Sequence, residues 1–384
     1  MRITTLITAL FLSCAVCGAQ NSHKALKPGL YMEGGKNHVQ GIAVDEARGY
    51  MYMSFTTVFY KTDLQGNVLA SMAGIPGHLG AMTLNPEDGK VYASLEFKDD
   101  EIGQGIAKNV EKQVQKSVFY VAIIDVDKMD RIGMDAEKDG VLKTVCIKDA
   151  CRDYADKVTN KGKEVEHRYG CSGIDGITFA PVFGKGGRGR MYLYVAYGIY
   201  SDVDRTDNDY QVLLCYDIKL WDKLYAKTLT YKDAHQSGPE LPLYKYFIRT
   251  MNTNYGVQNM GYDPYTKNIF MMVYKGKKEG CPNYAAYAVD VLSKPFKAPL
   301  IGNDDTLHKE GAVLQMPLSM AGLYDQTTNT WGWNFKWGST GFCPLGDGYY
   351  LFSENGKTPE KVQFTNINLY KWTGNPESPF ELVK

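Results

Sequence analysis

The chain is 384 residues long, 44% hydrophobic and 22% charged, with 43 basic against 43 acidic side chains. That balance carries no net field toward nucleic acid or an anionic membrane, and the apolar content is too high for a disordered chain. The 39 Gly and 28 Tyr point instead to strands joined by tight turns.

Residues 1–19 read as an export signal: Arg2 supplies the basic start, residues 3–16 are apolar, and Cys17 and Ala19 are small residues at −3 and −1 of a cleavage before Gln20. The expected location is periplasmic or extracellular. A competing reading takes Phe11 to Cys14 as a lipidation box with Cys14 acylated, although Phe is a poor opening residue for one. No later stretch reaches the roughly 18 uninterrupted apolar residues of a transmembrane segment. Removing the signal leaves Cys146, Cys151, Cys171, Cys215, Cys281 and Cys343, an even set that permits disulfides in an exported chain. Cys146 and Cys151 bracket four residues and close easily. Zinc is disfavoured because these six form no CxxC and no His follows at ligand spacing, while Cys171 and Cys343 read as buried free thiols.

A repeat organises the rest. Residues 38–53 lie over residues 78–93 at a constant offset of 40, without a gap. The unit is a short apolar strand, a polar turn ending in Gly49 or Gly89, and a second strand carrying Tyr52 or Tyr92. It recurs at 173–181 with 191–195, at 256–264 with 268–273, and at 338–343 with 348–352, each followed by a third strand. Period-2 alternation and β-branched or aromatic content make these strands. The predicted fold is therefore all-β, a five-bladed β-propeller spanning 20–384 as a single domain. The long stretches 98–168 and 292–335 leave room for a sixth blade, and a ring of six or seven would need a further copy of the repeat, for which 215–250 is the candidate stretch. Residues 30–35 precede His38 as residues 68–74 precede His78, so they should form an outer strand of the last blade and close the ring with the C-terminus.

Residues 98–117 and 126–168 are polar insertions; the first tolerates helix, with Ile102, Ile106 and Val110 spaced by four. Such loops either build a site, offer a surface to a protein partner, or decorate the disc.

The positions opening each inner strand should ring one mouth of the axial channel. One tier holds His38, His78, Gly173, Gly256 and Gly338, and the next holds Gln40, Gly80, Asp175, Gln258 and Thr340, with Tyr255 and Trp337 just before. His38, His78 and Asp175 are the candidates for chemistry; Gln40, Tyr255, Gln258, Trp337 and Thr340 are the candidates for ligand contact. Each has a plain structural alternative: capping or packing for the histidines, backbone hydrogen bonds for Asp175 and the glutamines, blade packing for the Trp cluster at 331, 333 and 337. The three glycines of the first tier should leave room for a ligand opposite the two imidazoles.

A single carboxylate disfavours a two-carboxylate glycosidase. Paired imidazoles suit proton abstraction of the lyase type, or joint binding of a divalent cation. The acidic run Asp202–Asp209 suggests Ca²⁺ but lacks the Gly and terminal Glu of an EF-hand loop.

Through units such as Gly41 to Asp45 and Gly176 to Pro181, the repeat resembles the broad propeller superfamily that includes NHL-type and YncE-like secreted proteins. The resemblance implies the fold and is nearly silent on activity, since this superfold carries hydrolases, lyases and non-catalytic binders alike. Two functions follow as expectations: binding or processing of a glycan or other small polar ligand at the channel mouth, by lyase-like or metal-assisted chemistry, or a non-catalytic binding module acting through its inserted loops.

Overall fold

In a computed structural model, described here for residues 23, 25–34, 37–187, 189–231, 234–302 and 311–384, the chain forms five antiparallel sheets arranged as a five-bladed β-propeller. The expected export signal, with Cys14, Cys17 and Gln20, lies outside the described residues. No helix among the described residues is long and apolar enough to cross a membrane.

The offset of 40 is a blade-to-blade step. Gly41–Asp45, Tyr50–Ser54, Phe59–Asp63 and Val68–Ala73 make the first blade, and His78–Leu84, Val91–Phe97, Val118–Ile124 and Leu142–Cys146 the second. The hairpins joining their first two strands turn on Gly49 and Gly89 at φ +76° and +69°, the left-handed backbone that glycine adopts without steric cost. Cys171–Ala180, Tyr192–Ile199, Tyr210–Tyr216 and Tyr244–Arg249 form the third blade; Thr253–Asp263, Asn268–Lys275 and Ala286–Asp290 form the fourth. Strands such as Val91–Phe97 and Val118–Ile124 are buried along their whole length, because blades pack on both faces.

The fifth blade closes the ring. Phe342–Pro344, Tyr349–Lys357 and Gln363–Trp372 come from the C-terminus, and Leu30–Glu33 pairs antiparallel with the last of them, Leu30 opposite Ile367 and Glu33 opposite Phe364. Leu30 and Met32 bury their side chains against Met51, Leu351 and Ile367. His23 adds an electrostatic clasp between the first and fifth blades, 2.8 Å from Glu46 and 3.0 Å from Asp347.

No sixth blade forms among the described residues. Phe296–Pro299 and Ala312–Gln315 extend the outer edge of the third blade, and the hairpin Leu323–Asp325 and Thr330–Gly332 abuts the fourth through Trp333 and Ala286. Nor is 126–168 all loop. It contains the fourth strand of the second blade, a strand Met134–Asp135 added to the first, the helix Lys148–Ala155 and a hairpin at Lys157–Asn160 and Lys163–Glu166. The insertion at 98–117 carries the helix Glu101–Lys108, capped by Asp100, whose side chain accepts from the Gly103 amide.

The thiols of Cys146 and Cys151 lie 3.8 Å apart, and all six described cysteines are free. Cys171 is buried and Cys343 partly buried.

Because Leu30 is fully buried in the closing strand, Leu30→Ala should lower unfolding free energy by about 2–5 kcal/mol, the usual range for a core Leu→Ala cavity. Equilibrium denaturation measures this, and a loss below about 1 kcal/mol would mean that the strand contributes little to closure.

Candidate functional site

Inner strands begin at one mouth of the channel and second strands return to it, so both sets of strand ends meet there. His78 opens the inner strand of the second blade, and its cross-strand partner is Glu96. Lys98 follows directly. Thr56, the offset-40 equivalent of Glu96, occupies the same place in the first blade. Together with His38, Gln40, Ser172, Asp175, Tyr255, Gln258 and Tyr274, these residues line one cavity of about 360 Å³. Ile102 and Ile106 of the inserted helix form one wall of it. The insertion therefore borders the mouth without filling it.

The floor is a network of charges. His78 Nδ1 stands 3.3 Å from Asp175 Oδ1 and 3.5 Å from Glu96 Oε2, and Lys98 Nζ stands 2.9 Å from Glu96 Oε2. Glu96 Oε1 accepts from the Ile174 amide at 2.8 Å, and Asp175 Oδ2 accepts from Gln258 Nε2 at 2.8 Å. Two cations thus answer two carboxylates, and each of the four carboxylate oxygens has a donor. Burial works against the charge on His78, but hydrogen bonds and Coulomb attraction from Asp175 and Glu96 outweigh it and raise its pKa to about 9. Burial also opposes the Lys98 charge, and Glu96, Asp175 and Asp100 more than offset it, raising that pKa too.

His38 is treated in the opposite way. Burial, then the positive charges of His78 and Lys357, lower its pKa to about 4, so it is neutral at physiological pH. Its Nε2 lies 3.0 Å from Gln40 Nε2, which places the acceptor lone pair on Nε2 and the ring proton on Nδ1. One cavity therefore holds one charged and one neutral imidazole, a separation that assigns different roles to chemically identical groups.

Small residues make the network fit. A side chain at Gly173 would collide with Glu96 Oε1 and the Phe119 ring, and one at Gly80 would reach 2.5 Å from Ser94 Oγ and 3.3 Å from Asp175 Oδ1. This corrects the expectation that the first-tier glycines open room for a ligand. Gly173 makes room for a carboxylate, while Gly256 lies against the backbone of Tyr197 and Ile199 and Gly338 against Met272 and Phe352. The axis beneath is closed by Asn259, whose amide donates to the carbonyls of Gln40 at 2.8 Å and Ser339 at 3.3 Å.

Tyr255 sits at φ +66°, an uncommon backbone for a bulky residue, in a bulge between Asn254 and Val257. The kink points its carbonyl at Gln258 Nε2, 3.0 Å away, and leaves its ring 43% exposed at the cavity rim, edge-on to Tyr274 at 6.1 Å.

The other sequence candidates fall elsewhere. Trp337 and Thr340 do not line this cavity: Trp337 packs on the fifth-blade aromatic cluster under Lys336, and the Thr340 carbonyl accepts from Asn355. Trp333 is blade core between Phe270 and Trp372, and Trp331 stacks on Tyr324 in an outer hairpin. In the acidic run, Asp207 is paired with Arg205 at 2.6 Å and Asp209 with Lys278 at 2.8 Å, so cations of the chain already occupy the place suggested for Ca²⁺.

Sequence reasoning missed Glu96 and Lys98. The signal was a Glu near the end of an otherwise apolar strand, directly across the hairpin from His78. Its presence also overturns the expectation of a single carboxylate at the mouth.

One group of potential metal ligands stands out among the described residues: His78, Glu96 and Asp175 offer atoms within 4.8 Å of one another. Lys98 and the His78 proton already supply the two positive charges a divalent ion would bring. Such an ion would have to displace both.

No protein-family model matches the chain, and no curated relative matches it either. Among solved structures, similar chains include a GH43 β-1,3-galactosidase with galactodeoxynojirimycin (14% identity, 90% of this chain and 93% of that one, TM-score 0.39). Others are an exo-1,5-α-L-arabinanase from a bovine ruminal metagenomic library (13%, 92% and 98%, 0.38) and the Escherichia coli soluble aldose sugar dehydrogenase (10%, 88% and 98%, 0.34). The fold assignment rests on the strand pairing above.

Nuclear magnetic resonance titration should find His78 titrating near 9 and His38 near 4. Removing one counter-charge in Glu96→Gln should bring the His78 value down; an unchanged value would disprove the pairing. Because the folded value lies above the reference 6.5, the stability His78 contributes is complete below that pH and lost as pH climbs through about 9. Melting temperature should fall over that window, and less so in Glu96→Gln. Divalent cations should leave the wild-type melting temperature unchanged at neutral pH and raise it in Lys98→Met, where the resident cation is gone.

Proposed function

We propose that the protein is an exported propeller that recognises a glycan or another small polar ligand in the cavity at the axial mouth. The observation that carries this reading is the pair of imidazoles on one wall-to-wall cavity, His78 held charged and His38 held neutral, flanked by Gln40, Asp175 and Gln258. At about 360 Å³ the cavity is near the small end of ligand pockets, which run from roughly 300 to 1,000 Å³. Polar groups at the base and Ile102, Ile106, Tyr255 and Tyr274 around it suit a sugar ring, which has hydroxyl edges and apolar faces.

In this reading His78 donates its spare Nε2 proton to a ligand oxygen, and Asp175 and Glu96 keep it charged while it does so. Proton donation of this kind supports lyase-like chemistry if a base is available. A non-catalytic role is favoured by one observation: His38 Nε2 and all four carboxylate oxygens already accept hydrogen bonds, so no base at the mouth is free.

The test is a calorimetric and chromatographic screen of purified protein against mono- and oligosaccharides. Binding should weaken at least tenfold, about 1.4 kcal/mol, in His78→Ala and Asp175→Asn with the fold intact by circular dichroism. Affinity should hold between pH 4 and 9 and fall outside that range, as His38 gains or His78 loses its proton. Product formation decides for chemistry and its absence with retained binding for recognition. Tight sugar binding that survives both substitutions would place the ligand elsewhere.

A further inference from the structure

The hydrogen-bonding inventory of the cavity's charged groups and imidazoles is one-sided. Both oxygens of Glu96 and both of Asp175 are engaged from behind, by Ile174, Lys98, His78 and Gln258. His38 Nε2 is engaged by Gln40. The strong acceptors are therefore spent. The donors are not. His78 turns Nδ1 toward the carboxylates, and among the described residues its second ring nitrogen has no hydrogen-bond partner. Lys98 has three ammonium hydrogens and, among the described residues, one ion-pair partner, Glu96. Asn37 Nδ2 lines the same cavity and is a buried amide nitrogen with no hydrogen-bond partner. The ring proton of His38 is a further donor.

A buried donor without an acceptor is costly, as Asn37 Nδ2 is here, and beside it the open hydrogens of His78 and Lys98 suit something that supplies acceptors. A sugar hydroxyl both donates and accepts, and against the ammonium and the imidazolium it uses only its accepting half. An anionic oxygen cluster only accepts, and it takes charge-assisted bonds from an ammonium and an imidazolium. The net charge of the quartet is zero, but the two carboxylates are only 2% and 8% exposed, whereas His78 and Lys98 show 15% and 14% of their side chains. What a ligand meets is the positive side.

Resting on the reading that this cavity takes a glycan or small polar ligand, we propose that the ligand carries an anionic group, the carboxylate of an acidic sugar or the sulfate of a sulfated one, received by His78, Lys98 and Asn37. The apolar rim of Ile102, Ile106 and Tyr255 then takes the ring that bears it. Lys98 is the specificity-determining residue. Asp175 and Glu96 act through His78 and position it.

The experiment titrates the full chain with glucuronate, galacturonate, glucose 6-sulfate, glucose, galactose, acetate and inorganic sulfate, by calorimetry at neutral pH. Expected is a preference of tenfold or more for an acidic sugar over its neutral counterpart, with the carboxylate and sulfate arms identifying the anion. The preference should disappear in Lys98→Met and return in Lys98→Arg, which keeps the charge if the loss of Lys98 disturbs the fold. Equal affinity for neutral and acidic sugars would overturn the anionic group and leave the glycan reading standing. Acetate or sulfate binding as tightly as the sugars would overturn the acidic sugar in favour of a bare anion. Failure of every sugar and anion to bind would overturn the reading on which the inference rests.

Discussion

The mouth of the channel exists because the ring is closed, and the ring is closed by a four-residue strand from one end of the chain. Leu30–Glu33 completes the blade whose other strands come from the C-terminus. Without that pairing the first blade, which carries His38 and Gln40, would be free to splay from the fifth. The site draws on the first, second, third and fourth blades at once. Its geometry therefore depends on a contact made in the fifth blade. This is the general logic of a propeller: each blade is locally simple, and convergence at the axis is a property of closure alone.

Within that frame the mouth is organised around a carboxylate that stands where a side chain at Gly173 would be. Glu96 reaches into space left by Gly173 and caps the Ile174 amide, which ties the second blade to the third. Burying such a charge is expensive unless cations and donors surround it. His78 and Lys98 meet that need, and Asp175 balances the second cation. Each member would be costly alone. The quartet is consequently a unit, and loss of any one changes the charge state of the rest.

The architecture was largely legible. A gapless offset of 40 and the strand-like segment before His38 contained the blade step and the closure, because both follow from local strand grammar repeated along the chain. Six of the eight candidate residues, His38, Gln40, His78, Asp175, Tyr255 and Gln258, lie on the predicted cavity. Trp337 and Thr340 do not, since the fifth inner strand is short, at Phe342–Pro344, and its approach is absorbed into aromatic packing. Glu96 and Lys98 were hidden for a simpler reason. Reading only the strand that leaves the mouth omits the strand that returns to it. The roles of Gly173 and Gly80 were also out of reach, because what a missing Cβ makes room for depends on the neighbouring blade, which no local pattern specifies.

The second carboxylate reopens the comparison with hydrolases and then closes it on different grounds. Retaining glycosidases hold two carboxyl groups roughly 5–5.5 Å apart, and one of them must be free to attack while the other gives up a proton. Glu96 and Asp175 present oxygens within 4.8 Å of one another. Yet Glu96 accepts from an ammonium, an imidazolium and a backbone amide, and Asp175 from the same imidazolium and an amide side chain. A carboxylate so engaged is a poor nucleophile, and with cations holding its charge it is a poor proton donor as well. Separation alone would have suggested hydrolysis; the hydrogen-bond partners argue against it. What those partners leave available is the other side of the network, the hydrogens of His78 and Lys98 that face the cavity.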